Sequence, residues 1–192
     1  MMKSIAQSEL DRKRFVYSDI GFILLQQVVE AVTGKTLDAY LVSEFYRPMG
    51  LEHTLFQPLN RYKKADIMPT AANDYLRRQD LCGYVHDEAA AFMGGVSGNA
   101  GLFSTAQELG KIYQMILNEG ELDGKRYLRP ETCRIFTTEK SAVSHRGLGY
   151  DKPNLKDPKA NACASSAPAS VYGHTGFTGT CAWVDPENDL VY

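Results

Sequence analysis

The sequence predicts an α+β domain, with a helical region over about residues 1–145 and strands of part of an antiparallel sheet over about 146–192. Three observations lead there. A broad apolar helix is written from about Asp19 to Thr33. A strictly amphipathic helix follows Ser104-Thr105. Short strand-like runs close the chain from about residue 171.

Residues 1–16 are polar and basic, with Asp11, Arg12, Lys13 and Arg14 in a row, and read as a surface helix or loop leading into Phe15-Val16-Tyr17-Ser18-Asp19. In the helix that follows, Ile20, Leu24 and Val28 share a face, with Ile23, Leu25, Val29 and Val32 beside them. So wide an apolar surface predicts a mostly buried helix. Gly34 is placed to close it. Another helix is expected from Thr36 to about Tyr46, with Leu37, Leu41 and Phe45 four apart, and Pro48 and Gly50 stop it.

Residues 57–80 hold Pro58, Pro69 and many polar groups, and read as a long irregular excursion across the surface. Loops of this kind more often serve function than lie idle. Residues 94–101 carry four glycines in eight positions, which requires tight turns or close backbone approach. Ser104 and Thr105 then cap a helix in which Leu109, Ile112, Tyr113, Ile116 and Leu117 keep the i, i+3, i+4, i+7, i+8 spacing. Gly120 ends it. Asp123-Gly124 marks a hairpin, and Pro130 opens a short helix through about Phe136. A short strand is expected at 147–150, and an exposed loop at 151–170, rich in Pro, Lys, Ala and Ser. Strands at about 171–176 and 179–184 and a turn at Asp185-Pro186-Glu187-Asn188 follow. Leu190-Val191-Tyr192 reads as the opening of a further strand. There is no internal repeat.

The bulk numbers bound the function classes. The 192 residues suffice for one domain with a real core. Lys plus Arg total 21 and Asp plus Glu 23, a net charge of −2, which gives no electrostatic reason to expect a nucleic-acid partner or an anionic membrane. No stretch approaches the roughly 18 apolar residues of a membrane span, and Met1-Met2-Lys3-Ser4 lacks the apolar core of a signal peptide. Cysteines at 82, 133, 163 and 181 form no Cys-x-x-Cys pair, so they read as unpaired, mostly buried thiols rather than a metal or redox motif.

Two clusters carry chemistry. Tyr17-Ser18-Asp19 stands at the mouth of a helix, where the positive end of the dipole favours the charged phenol oxygen that a proton-accepting tyrosine needs. The plainer reading makes Tyr17 a half-buried aromatic and Asp19 the N-cap. His174-Thr175-Gly176, with Phe177-Thr178-Gly179 after it, places a cation, a hydroxyl and two glycines on a strand edge, able to bind a carboxylate and admit substrate backbone; the plainer reading is an ordinary strand. His86-Asp87-Glu88 are adjacent and so do not converge on a metal. Gly95-Val96-Ser97-Gly98 falls one residue short of a nucleophile elbow. His53 and His145 have no evident partners in the sequence.

The two clusters stand in order, 157 residues apart. This arrangement resembles the penicillin-recognising serine hydrolases (class C β-lactamases, D-alanyl-D-alanine carboxypeptidases and related esterases), whose second motif is Tyr-Ser-Asn and third Lys-Thr-Gly or His-Thr-Gly. Tyr46-Arg47-Pro48-Met49-Gly50-Leu51, Ala100-Gly101-Leu102-Phe103-Ser104-Thr105-Ala106 and Gly173-His174-Thr175-Gly176-Phe177-Thr178-Gly179-Thr180 also look like phrases of that family. The wording is similar to serine hydrolase domains fused to family 3 glycoside hydrolases.

The resemblance implies a β-lactamase/transpeptidase-like fold and acyl transfer to water from an ester, amide or β-lactam, without cofactor or metal. It implies Tyr17, Asp19 and His174 as catalytic residues, and Thr175, Gly176 and Phe177 as substrate-binding ones. It also implies a Ser-x-x-Lys motif upstream of the tyrosine. None occurs in these 192 residues; Thr137-Thr138-Glu139-Lys140 is nearest and lies on the wrong side of Tyr17. The chain is therefore expected to be a fragment truncated at both ends and inactive by itself. Its parent is expected outside the cytoplasm, with a small-molecule or peptide substrate, and with an N-terminal glycoside hydrolase domain. Exposed sheet edges favour a homodimer. Asp19 departs from the family's Asn: an amide donates a hydrogen bond, an ionised carboxylate only accepts. That departure keeps a second reading open, a non-catalytic module binding cell-wall peptide or glycan.

Overall fold

The structure, a computed structural model, describes Ile5, Gln7, Glu9, residues 15–138 and residues 141–192. The basic run around residues 11–14 lies outside the described residues, as do Glu139 and Lys140. Helix α1 (Ile20–Thr33) begins after Asp19 and closes at Gly34, whose left-handed φ of 67° lets its N–H reach the Glu30 carbonyl at 2.9 Å.

The expectation that α1 is mostly buried is corrected. Only Ile23 and Gln26 are buried, while Leu25, Val28 and Val32 are 56%, 55% and 80% exposed. The described elements cover a narrow strip of the helix, and none of them packs over the rest. That strip is held by Gln26, whose amide accepts from the Gly98 N–H at 3.0 Å and donates to the Val96 carbonyl at 3.4 Å.

Helix α2 (Leu37–Leu41) passes into a π-helical turn (Val42–Tyr46) closed by the Arg47 N–H on the Val42 carbonyl. The continuous helix expected to Tyr46 is therefore split. The wider turn carries Tyr46 into the core, where it meets Met49, Leu51, Met115 and Leu122. After β1 (Leu55–Phe56), the excursion contains two 3₁₀ turns (Pro58–Asn60, Lys64–Asp66) and a hairpin, β2 (Pro69–Ala71) with β3 (Leu81–Cys82). It is irregular for most of its length, yet it folds back on a buried carboxylate. Asp74 accepts from the Arg77 backbone N–H and from both Nε and Nη2 of Arg77. Those bonds from Arg77 hold the Asp74 pKa below the usual carboxylate value.

Asp87 caps α3 (Glu88–Phe92) by accepting the Ala90 N–H at 2.7 Å. The glycine-rich turn then needs its glycines: a Cβ on Gly98 would sit far inside van der Waals contact with the Phe22 carbonyl oxygen. Strand β4 (Leu102–Phe103) pairs antiparallel with β1. Helix α4 (Ala106–Leu117) is capped by Thr105, which accepts the Glu108 N–H at 3.3 Å, while Ser104 bonds to Thr54 instead. β5 (Glu121–Leu122) and β6 (Lys125–Arg126) form the hairpin expected at Asp123-Gly124, and α5 (Pro130–Thr137) follows.

The closing sheet is antiparallel, in the order β7 (Tyr172–Thr175), β8 (Cys181–Asp185), β9 (Leu190–Val191), with His174 opposite Ala182. Helix α4 packs on β8 and β9. Tyr113, Tyr150 and Tyr172 meet edge to face where helix and sheet join, and burial raises all three phenol pKa values. No strand forms at 147–150. Asp151 instead makes a single two-way bridge to Gly173, because Gly147 and Leu148 are spent on the Tyr150 and Phe136 carbonyls. The four cysteines are unpaired, Cys82 and Cys133 buried and Cys181 exposed. Among the described residues no helix is long and apolar enough to cross a membrane.

Candidate active site

Tyr17 lies on the irregular segment before α1 and His174 near the end of β7. Their rings face each other, centroids 6.2 Å apart at 35°. The pairing follows from two local facts. Gln26 ties α1 to the glycine-rich turn, and the register of β7 on β8 sets His174 just before Thr175 reaches the strand end. Tyr17 is 58% exposed, more open than a half-buried aromatic.

Asp19 differs from its expected capping role. It occupies the N-cap position with helical backbone, φ −72° and ψ −22°, and its carboxylate makes no cap bond. Ser18 Oγ accepts the Ile20 N–H at 3.3 Å in its place. Among the described residues the Asp19 carboxylate has no hydrogen-bond or ion-pair partner, which leaves it free to meet a ligand.

Thr175, Gly176 and Phe177 are all exposed at the end of β7. Gly176 donates its N–H to the Thr180 carbonyl at 2.6 Å, and a Cβ there would collide with Thr180 Oγ1. The turn can therefore be this tight only with glycine. Among the described residues the Phe177 N–H donates to none, so it remains available to an incoming oxygen. The Phe177 ring rests on His86, centroids 4.9 Å apart. The segment between β3 and α3 thus supplies a wall beside the turn.

Three further residues complete the cluster, and the sequence pattern does not point to them. Arg146 holds its guanidinium 5.0 Å from the Tyr17 ring centre and donates from Nη1 to His174 Nε2 at 3.0 Å. Its Nη2 donates to Asp151 Oδ2 at 3.1 Å, and His145 Nε2 stands 3.2 Å from Asp151 Oδ1. The Asp151–Gly173 bridge brings this group beside His174. No spacing rule marks it, since Arg146 precedes His174 by 28 residues, across a loop. His53 also has a partner. Its Nδ1 lies 2.9 Å from Glu108, a buried helix residue that serves the fold rather than this site.

Ser97 is buried and donates to Asn99 at 2.6 Å, as a turn residue does and a nucleophile does not. A cavity of about 320 Å³ opens beneath the exposed face of α1, among Phe22, Gln26, Val29 and Ser97. It does not include Tyr17 or His174.

The fold is that of the β-lactamase and penicillin-binding serine hydrolase superfamily. The beta-lactamase family model matches residues 1–192, and the chain belongs to that family. A protein of Escherichia coli K12 named "Putative D-alanyl-D-alanine carboxypeptidase" is 38% identical over 189 residues, covering 92% of this chain and 43% of its own. The "N-acetylmuramyl-L-alanine amidase" of Bacillus subtilis 168 is 36% identical, with the same coverage. The chain spans under half the length of these curated relatives. Among solved structures, the octameric penicillin-binding protein homologue of Pyrococcus abyssi superposes with a TM-score of 0.63 at 18% identity, over 96% of this chain and 39% of that one. At that identity the likeness concerns the fold.

Proposed function

We propose that this chain is the helical region and part of the sheet of a serine hydrolase that transfers an acyl group from an ester, amide or β-lactam to water. The carrying observation is the approach of the Tyr17 and His174 rings, with centroids 6.2 Å apart. In this reading a serine of a Ser-x-x-Lys motif, which these residues do not contain, attacks the carbonyl. Tyr17 and the motif's lysine relay the proton. The N–H of Phe177, unpaired among the described residues, and that of the serine stabilise the oxyanion, each worth about 3 kcal/mol. Thr175 and the His174 region orient a substrate carboxylate, and Asp19 faces the leaving side. By themselves these 192 residues turn nothing over, since losing the nucleophile costs on the order of a million-fold.

The names of the curated relatives favour a cell-wall peptide as substrate and a setting outside the cytoplasm. An N-terminal glycoside hydrolase domain in the parent rests on sequence wording alone. The test is an assay of the parent protein, Ser-x-x-Lys included, on a chromogenic ester and a cephalosporin, with labelling by a fluorescent penicillin. Turnover or acylation is expected; silence on all three refutes the reading.

Asp19 favours a second reading, a binding module that kept the cleft and lost the chemistry. A carboxylate unpartnered among the described residues repels the oxyanion of a tetrahedral intermediate, where the family's amide donates to a carbonyl. A parent sequence without Ser-x-x-Lys upstream of Tyr17 decides for it.

A further inference from the structure

We propose that Arg146 is a positioning residue of this site: its guanidinium holds His174 as the neutral Nδ1–H tautomer and sets the fixed positive charge of the cleft on the face of Tyr17. The inference deepens the hydrolase reading and rests on it for its functional meaning, though not for its test.

The hydrogen-bond roles leave one assignment. A guanidinium has donors and no acceptor, so His174 Nε2, 3.0 Å from Arg146 Nη1, must accept. A carbonyl oxygen only accepts, so His174 Nδ1, 2.6 Å from the Thr175 carbonyl, must carry the proton. An imidazole with Nε2 accepting and Nδ1 donating is neutral. His174 therefore does not act as the cation that a lysine provides at the same place in the family motif.

The positive charge stands instead on Arg146, which stays protonated at any working pH. Its surroundings fix it in place. Asp151 Oδ2 takes its second amino group, the Tyr17 ring lies 5.0 Å from Cζ and the Phe15 ring 6.0 Å. Asp151 is anchored in turn by its backbone bridge to Gly173 and by His145. The nearby Lys152 points its ammonium to the Ser170 and Val171 carbonyls. Among the described residues the groups facing Arg146 are thus one carboxylate, one imidazole and two aromatic rings. A cation over a tyrosine ring favours negative charge developing on its oxygen. A neutral Nε2 acceptor cannot bind a substrate carboxylate, so that duty passes to Thr175 and the Phe177 N–H, which donates to no described residue.

The test is the two-bond proton–nitrogen correlation spectrum of the ¹⁵N-labelled 192-residue protein at neutral pH, with His174 assigned by its loss in His174→Gln. The expected spectrum has a protonated Nδ1 and an unprotonated Nε2. A protonated Nε2, alone or with Nδ1, overturns the proposal. In Arg146→Leu both nitrogens are expected to move towards the averaged positions of a free imidazole. An unchanged spectrum overturns the role of Arg146 and leaves the tautomer to Thr175 alone. Should that variant not fold, Asp151→Asn frees the guanidinium from its anchor, and the same shift is expected and the same constancy decides against it. No substrate enters the readout. A parent protein inactive on every ester refutes the hydrolase reading and leaves the tautomer result standing.

Discussion

His86 lies against Phe177, ring centroids 4.9 Å apart and planes 42° from parallel. His86 lies between β3 and α3, its carbonyl held by Arg77 of the excursion, and Phe177 opens the turn after β7. Through this contact the segment after β3 braces the turn whose Phe177 N–H is unpaired among the described residues. An aromatic pair of this kind is worth about 1 kcal/mol. His86→Ala is expected to speed hydrogen exchange of the Gly176 amide, which donates to the Thr180 carbonyl, severalfold in this protein, and to lower kcat/KM about fivefold in the parent. Exchange unchanged at residues 176–180 would show that the loop does not brace the turn.

Glu108 carries a stability prediction with a definite pH window. Burial opposes its ionisation, but bonds from Thr54 Oγ1 and the His53 and Glu52 backbone outweigh that effect and hold its pKa below the usual glutamate value. A depressed carboxylate pKa contributes stability above the unfolded value of about 4.3, lost as pH falls through the lower folded one. Glu108→Gln is therefore expected to cost about 2 kcal/mol at pH 7, and the gap to the unsubstituted chain narrows below about pH 4. Urea titrations at the two pH values measure it; a gap that widens in acid contradicts the assignment.

Gly98→Ala tests how α1 is held. The added methyl would run into the Phe22 carbonyl, and backbone cannot yield as a side-chain tip can. Overpacking of this order costs about 2 kcal/mol. A melting temperature roughly 6 °C lower is expected for a chain of this size. No change in thermal midpoint would mean the turn and helix are not in this close contact.

The apolar face of α1 predicts self-association. Leu25, Val28 and Val32, at i, i+3 and i+7 of α1, form an exposed apolar stripe of the kind that draws a partner surface. Sedimentation is expected to show concentration-dependent association, reduced at least severalfold in Val28→Lys/Val32→Lys. A wild-type chain monomeric across the concentration range argues against both this and pairing through the sheet edges.

Asp19→Asn places an amide donor where the carboxylate has no partner among the described residues. In the parent protein it is expected to raise acylation by a fluorescent penicillin about tenfold, the equivalent of one hydrogen bond of about 1.4 kcal/mol. A slower reaction would show that the carboxylate itself takes part.

Elements specified by neighbours in the chain are legible in the sequence. The Gly34 stop, the Thr105 cap, the Asp123-Gly124 hairpin and the spacing of α4 each depend on residues within a few positions, and each is found as the residues imply. The candidate site is half legible. Tyr17 and His174 can be named because each sits in a short local phrase. Arg146, Asp151 and His86 cannot, because their roles exist only through contacts made far along the chain.

The covered and uncovered sides of α1 show the same division. Its apolar residues announce a helix that wants burial, but whether anything packs over Leu25 or Val32 depends on other segments, and here none among the described residues does. Local order is written in short-range sterics and hydrogen bonding, so the string of residues by itself determines it. The hydrogen bonding of His174 is different in kind. It is settled by a guanidinium 28 residues earlier, delivered by one backbone bridge at Asp151, and electrostatic contact of that sort depends on distance in space rather than along the chain.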